Sequence, residues 1–192
     1  MKKRLFAFLF LLLTLFLSGC QSLLNTVQTP KDMQHRIVVS VPEQKMRLFD
    51  NGKLIATYTI STAKRGIGDL PDSYMTPGGK MEIAEKFGAG MPVGTAFKDR
   101  VPTGEIVAID APGRDPVVTR ILWLRGTEER NQHAYQRYIY IHGTPQESLL
   151  GNPASYGCIR MRSADIVELF DKVGVGAEVF VAETELDLQS QK

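Results

Sequence analysis

Cysteine and histidine are scarce in this chain, and none of them has a spacing typical of a metal site. The 192 residues include two cysteines, Cys20 and Cys158, and three histidines. Neither a Cys-x-x-Cys pair nor a His-Glu-x-x-His motif occurs, and zinc sites commonly use such spacings. A glycine-rich phosphate loop and a G-x-S-x-G elbow are also missing. We therefore predict neither a bound metal nor a cofactor.

The sequence also has no basic region. Lysine and arginine total 23 against 21 aspartate and glutamate residues. Three of these cations, Lys2, Lys3 and Arg4, fall at the very start, and subtracting them from 23 leaves 20 basic side chains against 21 acidic ones. Because nucleic-acid-binding domains concentrate basic charge on one face or along one helix, this balance argues against a nucleic acid partner.

The one long apolar run, Leu5–Leu17, is shorter than the roughly 20 residues of an ordinary spanning helix. It follows basic residues and precedes Ser18-Gly19, a pattern typical of a signal peptide over residues 1–19. Leu17-Ser-Gly-Cys20 resembles a bacterial lipobox, in which the cysteine is acylated and becomes the new N-terminus. We predict lipidation of Cys20, with a plain signal peptide or an uncleaved anchor as the alternatives.

Acylation of Cys20 would leave Cys158 as the only thiol, so no internal disulfide is expected. Residues 20–35 are polar and aperiodic, which predicts a lipidated N-terminus and a short tether to the membrane. Residues 36–182 are sufficient for one domain, and we expect a monomer with a polar tail over residues 183–192. Gln21 is compatible with outer-membrane sorting if the host has two membranes.

Alternating and β-branched segments, separated by Gly, Pro and Asp, predict a mostly-β fold. The predicted strands are Arg36–Val41, Lys45–Phe49, Leu54–Ser61, Lys80–Ala84, Glu105–Asp110, Val117–Leu124, Arg137–His142 and Ala177–Val181. Two segments rich in Gly and Pro, Ala63–Lys80 and Phe87–Pro102, predict loops, and the second has the composition of a mobile flap.

One helix is predicted after Cys158. Its apolar face contains Ile166, Leu169, Phe170 and Val173, a spacing of three to four residues. Ser163 is the predicted N-cap and Gly174 the predicted end.

The chemistry concentrates in Ser155–Met161 and in His142, which closes a strand. A free thiol has a pKa of about 8.5, so a nucleophilic Cys158 needs a base, and an imidazole supplies one. Gly157 lets backbone N–H groups approach a reacting carbonyl, and the cation Arg160 is expected to lower the thiol pKa. An inert, buried cysteine is the alternative interpretation.

Alternation along the predicted strand places Tyr138, Tyr140 and His142 on one face. Trp123 is a candidate for the wall of a substrate groove, although a lone tryptophan more often belongs to a core.

The residues His142-Gly143, followed by Ser155-x-Gly-Cys-Ile-Arg-Met161, resemble the catalytic motif of L,D-transpeptidases, the YkuD-type domain of bacterial cell-wall enzymes. The resemblance runs from about Arg36 to about Val181. Thr76-Pro-Gly-Gly79 is similar to the family's Thr-Pro-x-Gly element, although Pro-Gly is ordinary turn chemistry. The family usually has a second histidine directly before the Gly-Cys pair, and this chain has Tyr156 there.

This resemblance implies a small mixed β-sandwich or barrel, with the catalytic cysteine in the loop before the notable helix. It implies that Cys158 attacks a peptidoglycan stem peptide, that D-alanine leaves, and that an amine resolves the thioester. The acceptor amine would come from a second stem or from a protein lysine, for example of a wall-linked lipoprotein. The expected setting is the cell envelope outside the cytoplasm, with roles in wall organisation and cell shape.

The resemblance also implies roles for individual residues. The Gly143 carbonyl would orient His142, and the N–H groups of Gly157 and Cys158 would stabilise the oxyanion. Arg160 would hold a substrate carboxylate or brace the loop. The pocket would be lined by Ser155, Tyr156 and Tyr140.

Three other functions stay open at this point. Water as the acceptor would give an L,D-carboxypeptidase or an amidase. Tyr156 in place of the usual histidine would suit a non-catalytic wall-binding lipoprotein. A papain-like protease fits less well, because its nucleophile precedes its base in the chain.

Overall fold

The structure, a computed structural model, describes residues 30–185 and 187. The predicted signal peptide, the predicted lipidation site Cys20 and most of the predicted tether lie outside the described residues. Within the described part of the chain, no helix is both long and apolar enough to cross a membrane.

The described residues form ten strands, one α-helix and two short 3-10 turns. The strands are β1 (His35–Ser40), β2 (Lys45–Asp50), β3 (Lys53–Ser61), β4 (Gly79–Phe87), β5 (Thr95–Lys98), β6 (Val101–Ile106), β7 (Val117–Gly126), β8 (Tyr140–Gly143), β9 (Ile159–Met161) and β10 (Glu178–Ala182). The helix is α1 (Ser163–Lys172), and the 3-10 turns are Glu129–Asn131 and Glu147–Leu149.

These strands form one mixed sheet that closes on itself. Its order is β4-β10-β1-β2-β3-β9-β8-β7, and β4 pairs back onto β7. Strands β5 and β6 extend from β7 as a hairpin. Strand β1 is parallel to β10 and β8 is parallel to β9. The predicted class, a mostly-β mixed sheet with one notable helix, is confirmed.

The interior of the closed sheet is filled with aliphatic side chains. Helix α1 packs on β7 and β8 and adds Ile166, Leu169 and Phe170 to this core. A second, smaller cluster lies on the opposite face of β7 and β8 and contains Phe97, Ile121, Trp123 and Tyr140. The members of the main core that are completely buried are Ile37, Val39, Met46, Leu48, Ile60, Ile83, Leu122, Leu124, Ala134, Ile141, Ile159, Met161, Ile166, Leu169, Ala177 and Val179.

The N-terminus of α1 differs from the prediction. The N-cap position is Arg162 rather than Ser163, and its side chain makes no capping hydrogen bond. The Ser163 hydroxyl is instead 2.8 Å from Thr119 Oγ1. The carboxylate of Glu147 accepts a hydrogen bond from the Ser163 N–H at 2.8 Å. A side chain distant in sequence therefore satisfies one of the free N–H groups of the first turn.

Two local strand predictions are wrong. The segment Phe87–Pro102, predicted as a loop with the composition of a mobile flap, contains β5 and the start of β6. The predicted strand Glu105–Asp110 overlaps β6 only at its first two residues. Every residue of β6 is exposed, and the strand includes Pro102 and Gly104. Alternating burial therefore gives no signal there, and only the pairing with β5 defines the strand.

The last part of the predicted tether is attached to the domain. The Asp32 carboxylate accepts hydrogen bonds from the N–H groups of Gly174 at 2.6 Å and His35 at 3.0 Å. The Asp32 N–H donates to the Val175 carbonyl at 2.8 Å. Burial raises the pKa of Asp32, but these hydrogen bonds outweigh it and hold the pKa below its usual range. The chain is thus fixed to the domain from Asp32 onward.

Replacement of Ile141 by alanine should destabilise the domain strongly, because this side chain is completely buried in the core. The expected loss is about 2–5 kcal/mol in the free energy of unfolding, measured by chemical denaturation. The matched control is Ile55→Ala on β3, where the side chain is 39% exposed and about 1 kcal/mol or less is expected. Equal losses for the two variants would contradict the assigned core.

Candidate active site

The pairing of β8 with β9 places the predicted nucleophile and base on the same face of the sheet. The strands are parallel, and Ile141 pairs with Ile159 while His142 pairs with Arg160. Side chains alternate between the faces of a strand. Because Ile141 and Ile159 enter the core, His142 and Arg160 point to the other side. Cys158 packs against the aromatic cluster on that same side.

The imidazole of His142 has a fixed orientation. Its Nδ1 atom lies 2.7 Å from the Gly143 carbonyl oxygen, so a proton on Nδ1 donates to that oxygen and Nε2 is left as the acceptor. This is the arrangement that the resemblance implies. A Cβ atom at Gly143 would come within 2.7 Å of the Val118 carbonyl on β7, so glycine allows this close approach of the strands.

The Cys158 sulfur is held between two backbone groups. The Tyr140 N–H donates to Sγ at 3.4 Å, and the thiol donates to the Tyr138 carbonyl at 3.4 Å. Tyr138 has a left-handed φ of 57° and precedes β8, so the predicted strand begins later than expected. That backbone turn leaves the Tyr138 carbonyl facing the thiol.

The predicted nucleophile and the predicted base are both neutral near pH 7. Burial lowers the pKa of His142 to about 4; the bond to the Gly143 carbonyl opposes this shift, and the charge of Arg160 adds to it. Burial likewise raises the pKa of Cys158 to about 11, although the Tyr140 N–H and nearby arginines lower it. The predicted effect of Arg160 on the thiol is present but smaller than the effect of burial. The thiol therefore needs a base at the moment of attack.

Arg160 is paired with an acidic side chain. Its side chain is 6% exposed and forms an ion pair with Asp115. Asp115 also accepts a hydrogen bond from the Thr144 hydroxyl at 2.8 Å. Of the two roles considered for Arg160, this arrangement favours bracing of the loop over binding of a substrate carboxylate. Asp115 lies in a loop far upstream, and no local pattern identifies it.

Ser155 supports the loop that contains Gly157 and Cys158 from its buried side. It is only 1% exposed, its hydroxyl donates to the Cys158 carbonyl at 2.5 Å, and it accepts from the Gly157 N–H at 3.2 Å. The expectation that Ser155 lines an open pocket is therefore wrong. The same bond occupies the Gly157 N–H, which was predicted to belong to an oxyanion hole.

The Thr76 element also supports the catalytic loop. Thr76 is completely buried, and its hydroxyl donates to the Gly157 carbonyl at 2.9 Å and accepts from the Ala63 N–H at 2.9 Å. Gly157 has a φ of +125°, and a Cβ atom there would lie 3.2 Å from Ile139 Cδ1. Thr76 therefore does more than form a turn, because its hydroxyl connects the loop before β4 to the loop that contains Cys158.

Tyr156, at the position where the family usually has histidine, is 75% exposed. Its ring makes an edge contact with Tyr74, with centroids 6.1 Å apart. Both rings border a groove of about 330 Å³. The other residues lining this groove are Pro71, Asp72, His133, Gln136, Arg137, Tyr138 and Ile139.

A second groove, of about 220 Å³, begins on the other side of Tyr138 and is bordered by Tyr140. The remaining residues lining it are Phe97, Asp99, Arg100, Val117 and Ile121. The Tyr138 residue common to both grooves is the one whose carbonyl contacts the Cys158 thiol. In the part of the chain that the structure describes, no group of three or more His, Cys, Asp or Glu side chains could hold a metal ion.

Sequence reasoning missed the pair Arg137 and Asp69, whose side chains are joined at 2.9 Å and are at least nine-tenths buried. Arg137 also donates to the carbonyls of Gly68 at 3.0 Å and Met75 at 2.7 Å. The pair thereby holds the long loop before β4 against the groove. These contacts join segments far apart in the chain and leave no local pattern.

Trp123 is 7% exposed and stacks on Tyr135, with centroids 4.0 Å apart and planes at 6°. Its indole N–H donates to the Tyr135 carbonyl at 3.1 Å. This burial fits the interpretation of Trp123 as a core residue.

Known proteins share this domain in sequence. The profile of the YkuD family, described as the L,D-transpeptidase catalytic domain, matches residues 34–181. The YkuD protein of Bacillus licheniformis, named as an L,D-transpeptidase, is 23% identical over 164 residues, covering 85% of this chain and 75% of that protein. The Escherichia coli K12 protein YcfS, also named as an L,D-transpeptidase, is 26% identical over 175 residues, covering 84% of this chain and 48% of that protein.

Solved structures share the fold. L,D-transpeptidase 3 from Mycobacterium tuberculosis, in complex with a faropenem-derived adduct, has a TM-score of 0.52 and 17% identity, covering 78% of this chain and 60% of that one. The Ldtfm–avibactam carbamoyl enzyme has a TM-score of 0.51 and 19% identity, covering 79% of this chain and 49% of that one. The chain thus spans roughly half to three-fifths of these solved chains. Because the family profile matches most of its length, from residue 34 to residue 181, this chain belongs to the YkuD family of L,D-transpeptidase catalytic domains.

Proposed function

We propose that this chain is an L,D-transpeptidase that acts on peptidoglycan stem peptides through a thioester on Cys158. The observation that supports this most is that a free thiol and an oriented, neutral imidazole are on the same face of β8 and β9. Nucleophile, base and orienting carbonyl form the arrangement that activates a thiol for acyl transfer.

In this mechanism His142 Nε2 takes the proton of the Cys158 thiol as Sγ attacks the carbonyl carbon of the third stem residue. Backbone N–H groups of the loop stabilise the oxyanion, chiefly that of Cys158, because the Gly157 N–H already donates to Ser155. The C–N bond then breaks, and the leaving D-alanine amine receives the proton from the imidazolium. The products of this half-reaction are a thioester and free D-alanine.

In the second half-reaction an amine attacks the thioester carbonyl and loses its proton to His142. The C–S bond breaks and the thiol is restored. The amine belongs to a second stem or to a protein lysine, such as that of a wall-linked lipoprotein. Water in its place would give an L,D-carboxypeptidase or an amidase from the same acyl-enzyme.

The proposal includes a location. The protein acts in the cell envelope as a monomer and is held by a lipid on Cys20. The lipobox-like sequence Leu17-Ser-Gly-Cys20 supports the anchor, and a tether ending at Asp32 keeps the domain close to the membrane.

Cys158→Ser and His142→Ala should each remove nearly all acylation, and the double variant should be little worse than either. Groups that act as one unit lose their contribution together. The measurement is intact-protein mass spectrometry after incubation with a tetrapeptide stem, looking for the acyl adduct and for released D-alanine. Cys20→Ser is the matched control and should keep the adduct. A wild-type rate in His142→Ala would remove His142 from the role of base, and a second stem peptide separates transfer from hydrolysis.

The acylation rate should fall in acid only near pH 4. Burial lowers the pKa of His142 to about 4, so the imidazole stays neutral and able to accept a proton at pH values where an exposed histidine, with a pKa of about 6.5, is already charged. The measurement is kcat/KM for D-alanine release between pH 3.5 and 8, taken at intervals of roughly half a pH unit. An acid limb near 6.5 would mean that the base is not the buried neutral imidazole.

Cys20→Ala should release the full chain from membranes. The same variant, purified without detergent, should form the Cys158 thioester with the tetrapeptide stem as readily as the wild type does. Without the acylated cysteine, the lipid chains that hold a lipoprotein to the bilayer are missing. The measurement is the distribution of the protein between membrane and soluble fractions. Cys158→Ser serves as the control and should stay with the membrane. If Cys20→Ala also stays there, the lipid anchor is refuted.

A further inference from the structure

The β5–β6 hairpin places an arginine, Arg100, over the aromatic cluster beside the active site. Its guanidinium carbon lies 4.5 Å from the centre of the Trp123 ring and 5.2 Å from that of the Tyr138 ring. One of its N–H groups donates to the Tyr140 hydroxyl at 3.0 Å. These contacts fix the position of the guanidinium, since arginine is attracted to aromatic faces.

Arg100 differs from the other arginines of the site in its partners. Arg160 is paired with Asp115 and Arg137 with Asp69. For Arg100, no carboxylate among the described residues lies within salt-bridge distance. A guanidinium has five N–H donors in a fork that matches a carboxylate, and the Tyr140 hydroxyl takes one of them. Arg100 therefore retains the capacity to bind an anionic group.

The turn of the hairpin adds the carboxylate of Asp99, whose charge is opposite to that of Arg100. Asp99 and Arg100 are adjacent, have left-handed φ values of 50° and 69°, and both line the groove of about 220 Å³. Left-handed backbone at two successive residues with side chains is uncommon. This conformation presents an anion and a cation side by side at the edge of one groove.

The distance between this pair and the nucleophile is set by one side chain. The backbone N–H of Tyr140 contacts the Cys158 sulfur, and its hydroxyl contacts Arg100. The length of the Tyr140 residue, from its backbone N–H to its hydroxyl, thus separates the Cys158 sulfur from the guanidinium. The extended side chain of a diamino acid, which begins one atom from the attacked carbonyl, covers a similar length.

We propose that Asp99 and Arg100 recognise a stem peptide whose third residue ends in an ammonium and a carboxylate on the same carbon, as in a diaminopimelate-type residue. Arg100 binds the carboxylate and Asp99 the ammonium. A third-residue lysine lacks the carboxylate, and an amidated residue offers a neutral group, so both leave the guanidinium without an anionic partner. The inference rests on the proposed function and specifies its substrate class.

The test compares three synthetic tetrapeptides that differ only at the end of the third side chain: the free diaminopimelate form, the amidated form and lysine. The full chain in detergent should prefer the free form in kcat/KM for D-alanine release by roughly tenfold to a hundredfold, the range expected for a charge-assisted hydrogen-bonded pair. Arg100→Gln should remove this preference, mainly by raising KM for the free form, and leave the lysine peptide almost unchanged.

Lys98→Gln is the matched control, because it removes one positive charge from the same hairpin at an exposed position outside the groove. This control should keep the wild-type preference. Arg100→Lys should keep only part of it, since a lysine cannot form the fork. If Arg100→Gln slows all three peptides equally, Arg100 only orders the hairpin and the inference is overturned.

Equilibrium binding to Cys158→Ser separates this inference from the proposed function. If this variant binds the free form more tightly than the lysine peptide, and Arg100→Gln added to it abolishes the difference, recognition stands even where no acyl adduct forms. If Cys158→Ser binds both peptides equally while the wild type forms the adduct, the function stands and the assignment of Asp99 and Arg100 is wrong.

Discussion

Parallel pairing of β8 with β9 is the contact on which the active site depends. These strands are only four and three residues long, so few backbone hydrogen bonds define their register. What fixes the register is burial, because Ile141 and Ile159 are paired and completely buried. A slip of one residue would turn His142 into the core and Ile141 out of it. The hydrophobic core thus sets the geometry of the chemistry performed on the opposite face.

The same packing determines the charge state of the site. A thiol and an imidazole in water would be close enough in pKa to exchange a proton readily, but burial moves the two pKa values apart, to about 11 and about 4. In the proposed mechanism, charge therefore develops on Cys158 and His142 only during attack, with the backbone N–H groups of the loop stabilising the oxyanion. Asp115, the ion-pair partner of Arg160, raises the thiol pKa and so opposes the lowering of that pKa by the charge of Arg160.

Local patterns in the sequence predicted those features of the fold that depend on residues close together in the chain. Alternation found the strands β2 and β3, and spacing found the buried face of α1. The motif identified Cys158 and His142, whose placement on one face of the sheet depends on a parallel pairing that no local pattern encodes. The partners Asp115 of Arg160 and Asp69 of Arg137 could not be predicted, since each lies far away in sequence. The exposed strand β6 was missed because burial does not alternate along it.

Tyr156 shows how the loop backbone decides what a substitution can change. Ser155 points inward and is held by the Cys158 carbonyl, while Gly157 adopts a φ of +125°. Between them the side chain at position 156 points outward, where Tyr156 meets Tyr74 on the wall of the larger groove. The proposed base on this face is His142, whose Nδ1 already has the Gly143 carbonyl as its partner without help from position 156. A tyrosine there changes the exposed surface of this groove and leaves the contact between His142 and Gly143 in place.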